Sequence, residues 1–237
     1  QLYCLQTQRL YLEDKKKENN LVKQYKGREI YELLQNIDDA AEDGKDCIAS
    51  IKLDKNDLII SNKGKPFTIS TLQRLCQGGV SEKDDKYIGC KGIGFRSVLN
   101  WADEISIYSG NDISVKFSRE YAQNIYNELI TGDAKEHINN QSLELERRGY
   151  DSSYPIFRAP LYIEPIDREF DTVIKLKIKE DARENINESL KNIDENILLF
   201  LPHLKEIDIQ FEEKKELNKT YSKIYEPGNI ISIKINE

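Results

Sequence analysis

The sequence predicts an α/β two-layer sandwich, with a mixed, largely antiparallel sheet carrying its helices on one face. Three observations lead there. Residues 25–43 place Ile30, Leu33, Leu34, Ile37 and Ala41 at the 3, 4, 7 spacing of a single helix face. Two short β-like runs follow, 47–53 and 57–62, and the turn Asp54 to Asn56 between them makes a hairpin. Beyond the hairpin, helical segments keep interleaving with hairpin-like alternation, the order expected when helices cover one sheet.

Taken in order, the helix of 25–43 stops at Gly44, since glycine tolerates a left-handed C-terminal cap. After Pro66 and Phe67 comes a short helix of about 69–76, with Thr68 or Ser70 as its N-cap. Residues 77–88 then break the pattern: Gly78 and Gly79 precede the charged stretch SEKDDK, which has no apolar period and reads as a mobile loop. A glycine-rich turn at 89–94 opens a helix of about 95–101, and alternation resumes at 104–109 and 112–118. The polar stretch 119–153 reads as a helix plus a variable insertion. Strands at about 155–163 and 171–179, a helix over 183–200, and strands at about 206–211 and 230–235 complete the chain.

A chain of 237 residues with 38% hydrophobic side chains has enough for one large core and little room for two, so one domain is expected. The longest apolar run, Ile197 to Leu201, is too short to span a bilayer, and no charged-then-apolar leader is visible, which points to a protein off the membrane and in the cytoplasm. Cysteines 4, 47, 76 and 90 lack paired ligand spacing, and the histidines are only His137 and His203; both facts argue for a reducing compartment and against zinc. The net charge of -7, with both signs interspersed, provides no polybasic face for nucleic-acid phosphates. The lack of any methionine and the strand-like IISIKINE ending suggest a piece of a longer polypeptide with further domains.

Three blocks carry chemistry. Opposite its apolar side, the first helix presents Glu32, Asn36, Asp39 and Asp43 in a narrow stripe. A carboxylate and a carboxamide four residues apart suit a metal-nucleotide site, where an amide oxygen meets a hard cation and a carboxylate deprotonates water; a solvated polar face has the same pattern. The second block, Asn62-Lys63-Gly64-Lys65-Pro66-Phe67, follows the run LIIS. There a glycine lets the backbone turn and leaves the Asn62 amide free to pair with a base edge, although a plain Asn-x-Gly turn would look alike. In the third, Gly89-Cys90-Lys91-Gly92-Ile93-Gly94-Phe95-Arg96-Ser97, the glycines let backbone N–H groups converge on an anion at a helix start. Its spacing fits neither a Rossmann nor a Walker loop.

The ordered blocks ELLQNIDDA, NKGKPF and IGCKGIGFRSV resemble those of the GHKL (Bergerat-fold) ATPases, and their details are most similar to the sacsin and NO VEIN-like, heat-shock-chaperone-type branch. Phe170 to Leu176 resembles the final strand motif, and ILLFLPHLKEIDI the segment after it, so the likeness runs over about 25–211 with 119–153 the least assignable part. The resemblance implies Mg²⁺ and ATP as cofactors. It makes Glu32 the general base and Asn36 the Mg²⁺ ligand, with Asp39 lining the pocket. Asn62 would face the adenine amino group, helped by Gly64, Phe67 and Thr172. Gly89, Lys91, Gly92, Ile93, Gly94 and Phe95 would form the phosphate loop, and 77–88 the lid. Many members have aspartate where this chain has Asn62, which removes a charge-assisted hydrogen bond.

The expected function is therefore slow ATP hydrolysis coupled to lid closure and to conformational change in attached domains or a nucleotide-dependent homodimer. Three other readings compete with it. A nucleotide-sensing module without hydrolysis would not need Glu32. A histidine kinase needs a phospho-acceptor histidine, and neither His137 nor His203 sits on an obvious helical hairpin. The ATPase subunit of a DNA-acting defence or restriction system would bind nucleic acid through other domains.

Overall fold

The computed structural model describes residues 2–77, 94–147, 155–227 and 230–236. Its strands are β1 (Cys47–Leu53), β2 (Asp57–Lys63), β3 (Ala102–Ser109), β4 (Ile113–Ser118), β5 (Leu161–Tyr162), β6 (Thr172–Ile178), β7 (Leu204–Phe211), β8 (Lys219–Glu226) and β9 (Ile230–Asn236). They form one sheet of order β5-β4-β3-β6-β2-β1-β7-β8-β9. Every pairing is antiparallel except β1 with β7. The predicted mixed, largely antiparallel sheet is thus the one observed.

The register shows why the helices lie on one face. Across the strands, one row of facing residues reads Phe117, Ile105, Leu176, Leu58, Leu53, Phe211, and the next Val115, Ile107, Ile174, Ile60, Ile51, Ile209. All twelve are buried. The row between them, on the opposite side of the pleat, reads Lys116, Ser106, Lys175, Ile59, Lys52, Gln210. Period-two alternation has put an apolar row against the helices and a mostly charged or polar row toward water. Pressed onto the apolar side is α2 (Glu29–Asp39), through Ile30, Leu33, Leu34 and Ile37, the residues picked out by their spacing. No helix among the described residues is long and apolar enough to cross a membrane.

Several boundaries differ from expectation. The helix of 25–43 is shorter at both ends: Gly27, at φ +83°, sits in a turn before α2, and Gly44, at φ +76°, sits in the turn where Lys45 N–H donates to Glu42. Ahead of it runs α1 (Leu2–Gln24), which the sequence did not signal because its buried positions include Lys15, Glu18 and Asn19 and so leave no apolar period. The short helix α3 (Ile69–Gln77) is capped by Thr68, whose Oγ1 accepts from Thr71 N–H at 3.1 Å. The helix at 95–101 is a 3₁₀ helix over Gly94–Asn100.

Residues 119–147 form two helices, α4 (Arg119–Leu129) and α5 (Gly132–Arg147), joined by a hydrogen bond from Tyr126 to Asn139. The expected strand 155–163 is limited to β5 at Leu161–Tyr162; ahead of it Ile156–Arg158 form a 3₁₀ turn in which Ile156 and Phe157 are both buried. The helix of 183–200 is split into α6 (Arg183–Lys191) and α7 (Ile197–Phe200), since Asp194 Oδ1 accepts from Asn196 N–H and competes with the helical ladder. Strand β8 went unseen because one of its buried positions is a lysine, Lys223, which donates to the carbonyls of Leu201 and Pro202.

Candidate functional site

The C-terminal half of α2, the end of β2 and the start of β6 surround a cavity of about 220 Å³. Its walls are mostly apolar, among them Leu33, Ile37, Ile60 and Ile174 from the core side. Into this lining the sheet brings polar groups from distant parts of the chain. Asn62, near the end of β2, faces Thr172, the first residue of β6, across the ladder. From α2 come Asn36 and Asp39, one turn apart and both half-buried. Phe67 and Phe95 complete the enclosure, Phe95 being held edge-on against Phe157 at 5.8 Å. Six residues singled out in the sequence therefore share one cavity.

Asn62 is 5% exposed, and its Nδ2 is buried with no hydrogen-bond partner among the described residues. An orphaned buried donor is costly, so such a group is a sign of a missing partner. Beside it, Thr172 Oγ1 lies 2.6 Å from Ser109 Oγ, which in turn accepts from Phe67 N–H at 2.8 Å. The loop carrying Phe67 is thereby tied to the sheet. Ser109 escaped the sequence reading; its place opposite Thr172 depends on the β3–β6 register, which no local pattern reveals.

Gly64 does not line the cavity. A Cβ there would meet the Ala40 carbonyl oxygen at 2.5 Å, while the Gly64 N–H donates to Asp171 Oδ2 at 2.9 Å and the Lys65 N–H to Ala40 O at 2.6 Å. The close approach that glycine allows at this point is to the end of α2, and its φ is not positive, so the expected sharp turn is not its reason. The loop following β2 is locked to the helix that supplies Asn36 and Asp39. Asp43, expected on the same stripe, lies exposed beyond the helix end.

Glu32 stands one turn before Asn36, outside the cavity lining, and is half-buried. Arg28 pairs with it at 3.2 Å; the arginine side chain is 64% exposed and the glutamate 14%. Packed directly on Glu32 is Gly94, the last glycine of the third block: a Cβ at Gly94 would overlap the carboxylate, with Cδ only 2.9 Å away. The candidate base and the end of the glycine block, 62 positions apart in sequence, are thus in contact. Gly89, Lys91, Gly92 and Ile93, together with the expected lid at 77–88 from residue 78 onward, lie outside the described residues.

Behind the site, Arg96 is 4% exposed and bonds Glu18 Oε2 of α1 at 2.5 Å and the carbonyl of Leu75 at the end of α3. Burial pushes the Glu18 carboxyl up, against the opposing pull of Arg96, and pushes the Arg96 guanidinium down. His137 lies exposed on α5. His203 is exposed beside Asp38.

Among the described residues no group of three or more His, Cys, Asp and Glu is arranged to hold a metal ion. A magnesium ion carried in with phosphates does not need one, because it takes only one or two protein oxygens and keeps its waters. The cavity is smaller than the ~300–1,000 Å³ of pockets that enclose drug-sized ligands, a size suited to one heterocyclic base. No protein-family model and no curated protein matches the chain.

Proposed function

We propose that the chain is a GHKL-type, cytoplasmic ATPase domain that binds Mg²⁺·ATP with its base in the cavity between α2 and the sheet and hydrolyses it slowly. The observation that carries this reading is the convergence of Asn36, Asp39, Asn62, Phe67, Phe95 and Thr172 on one cavity, with Gly94 against Glu32 at its side. These residues come from three separated sequence blocks and a strand motif.

The magnesium ion supplies charge neutralisation of the phosphates. The protein's own part is to bind and to move one proton. Asn62 and Thr172 hydrogen-bond the base edge between the apolar walls. Asn36 offers an amide oxygen one turn from Glu32, whose carboxylate takes the proton of an attacking water. Closure of the chain around bound nucleotide would be the signal read by attached domains or by a second copy.

One observation favours sensing without hydrolysis: the Glu32 carboxylate is engaged by Arg28 at 3.2 Å and stands outside the cavity lining. Two variants separate the readings. Nucleotide at 100 times its dissociation constant should stabilise the fold by about 2.7 kcal/mol, seen as a raised melting temperature. Glu32→Ala should keep that shift and lose turnover by ~10² or more, whereas Asn36→Ala should weaken the magnesium-dependent shift itself. No shift at millimolar Mg²⁺·ATP would reject the proposal; turnover unchanged in Glu32→Ala would reject its catalytic half.

A further inference from the structure

We infer that the base end of this cavity accepts 6-oxo purines as well as 6-amino purines, because both polar groups that face the base can exchange donor and acceptor. The inference rests on the nucleotide reading above and concerns which base is read. A carboxylate at position 62 could only accept hydrogen bonds, and would select the 6-amino group of adenine. Asn62 instead presents an amide that is nine-tenths buried, carries a donor without a partner among the described residues, and sits on an apolar wall.

The carboxamide is close to two-fold about its last torsion, so a half-turn swaps its N–H₂ and its oxygen. In one orientation it pairs with the N6–H and N1 of adenine. In the other it pairs with the O6 and N1–H of hypoxanthine or guanine. The neighbouring hydroxyl has the same freedom. Either Thr172 or Ser109 can be the donor in their 2.6 Å hydrogen bond, while Ser109 Oγ keeps accepting from Phe67 N–H in both cases. When Ser109 donates, the Thr172 hydrogen is free to point at an acceptor; when Thr172 donates, its lone pair remains for a donor. The next cross-strand pair on the same face, Ile60 and Ile174, lines the cavity with side chains that carry no polar atom to oppose either base.

The test compares Mg²⁺ complexes of ATP, inosine triphosphate and cytidine triphosphate by calorimetric titration of the wild-type chain and of Asn62→Asp. Inosine triphosphate differs from ATP at the 6-position edge without adding a 2-amino group. The wild type should bind ATP and inosine triphosphate within about 10-fold of each other, and cytidine triphosphate more weakly than either. In Asn62→Asp the preference for ATP over inosine triphosphate should grow by about 10-fold or more. A wild type that prefers ATP by more than that factor overturns the inference while the nucleotide reading stands; so does equal binding of the pyrimidine, whose N4–H₂ and N3 repeat the edge of adenine, because it would mean that the cavity does not read the purine frame. A ratio unmoved by Asn62→Asp overturns the role of Asn62. Binding of none of the three rejects the nucleotide reading, and this inference with it. If Asn62→Asp fails to fold, the wild-type ratio still decides.

Discussion

Replacing Gly94 by alanine adds one methyl group where the structure has none to spare. That carbon would stand 2.9 Å from Glu32 Cδ and 3.3 Å from Cγ, against the 3.4 Å at which ordinary contact begins. Its nearest neighbour would be Oε2, so the carboxyl group has to swing by roughly 1 Å, a misplacement that costs about 10²-fold in rate where a group acts on the reacting atoms. The swing is energetically mild. A carboxylate at the end of a flexible side chain can rotate away, and the surface pair with Arg28 that it strains is worth at most ~1 kcal/mol.

Gly64→Ala is the control, since its methyl would meet backbone: Ala40 O at 2.5 Å and Ala40 C at 3.2 Å. Backbone held at both ends cannot rotate aside, and overpacking of this kind costs about 1–3 kcal/mol. In a chain of this size that lowers the melting temperature by roughly 2–12 °C. Thermal unfolding and phosphate release measured on both variants should show Gly94→Ala melting within ~3 °C of wild type with turnover down about 10²-fold, and Gly64→Ala melting clearly lower. Wild-type turnover in Gly94→Ala, or equal melting losses in the two variants, would refute the reasoning.

Two further perturbations follow from groups around the site. Asp38, 5% exposed, accepts from the backbone N–H groups of His203 at 2.8 Å and Leu204 at 2.7 Å, so Asp38→Ala should cost about 3 kcal/mol in urea unfolding. His203→Ala, which removes a ring that is 64% exposed, should cost under ~1 kcal/mol, and equal losses would show that the ring carries the interaction. Arg96→Met strands the buried Glu18 and should cost about 3–5 kcal/mol. Because burial raises the Glu18 carboxyl above its ordinary 4.5, the folded state holds that proton more tightly than the unfolded chain. Its stabilising contribution is therefore full below pH 4.5 and is lost as pH rises through the folded value, so the stability of wild type minus that of Glu18→Gln should fall with rising pH; a rise would contradict the sign.

What the sequence determined by itself is what repeats over a few residues. The 3, 4, 7 spacing of Ile30, Leu33, Leu34 and Ile37 identifies α2 and its inward face, and alternation identifies β1, β2 and β6, because helix and strand periods are local properties of the chain. Spacing and side-chain type were enough to propose the chemistry of Glu32, Asn36 and Asn62, whereas the roles of Asp39 and Thr172 entered only through the resemblance of their segments to a known family.

Where local pattern conflicts with burial, the reading failed. Helix α1 and strand β8 bury Lys15, Glu18, Asn19 and Lys223, so they look polar and were missed; Glu18 and Lys223 are satisfied by partners far along the chain and Asn19 by the Lys15 carbonyl one turn back. Only the tertiary structure decided that Gly64 is small because Ala40 leaves no room, that Gly94 abuts Glu32, and that Ser109 sets the hydroxyl of Thr172. Each depends on a strand register or a helix-to-loop contact across tens of residues, and neither is encoded in any window short enough to show a period.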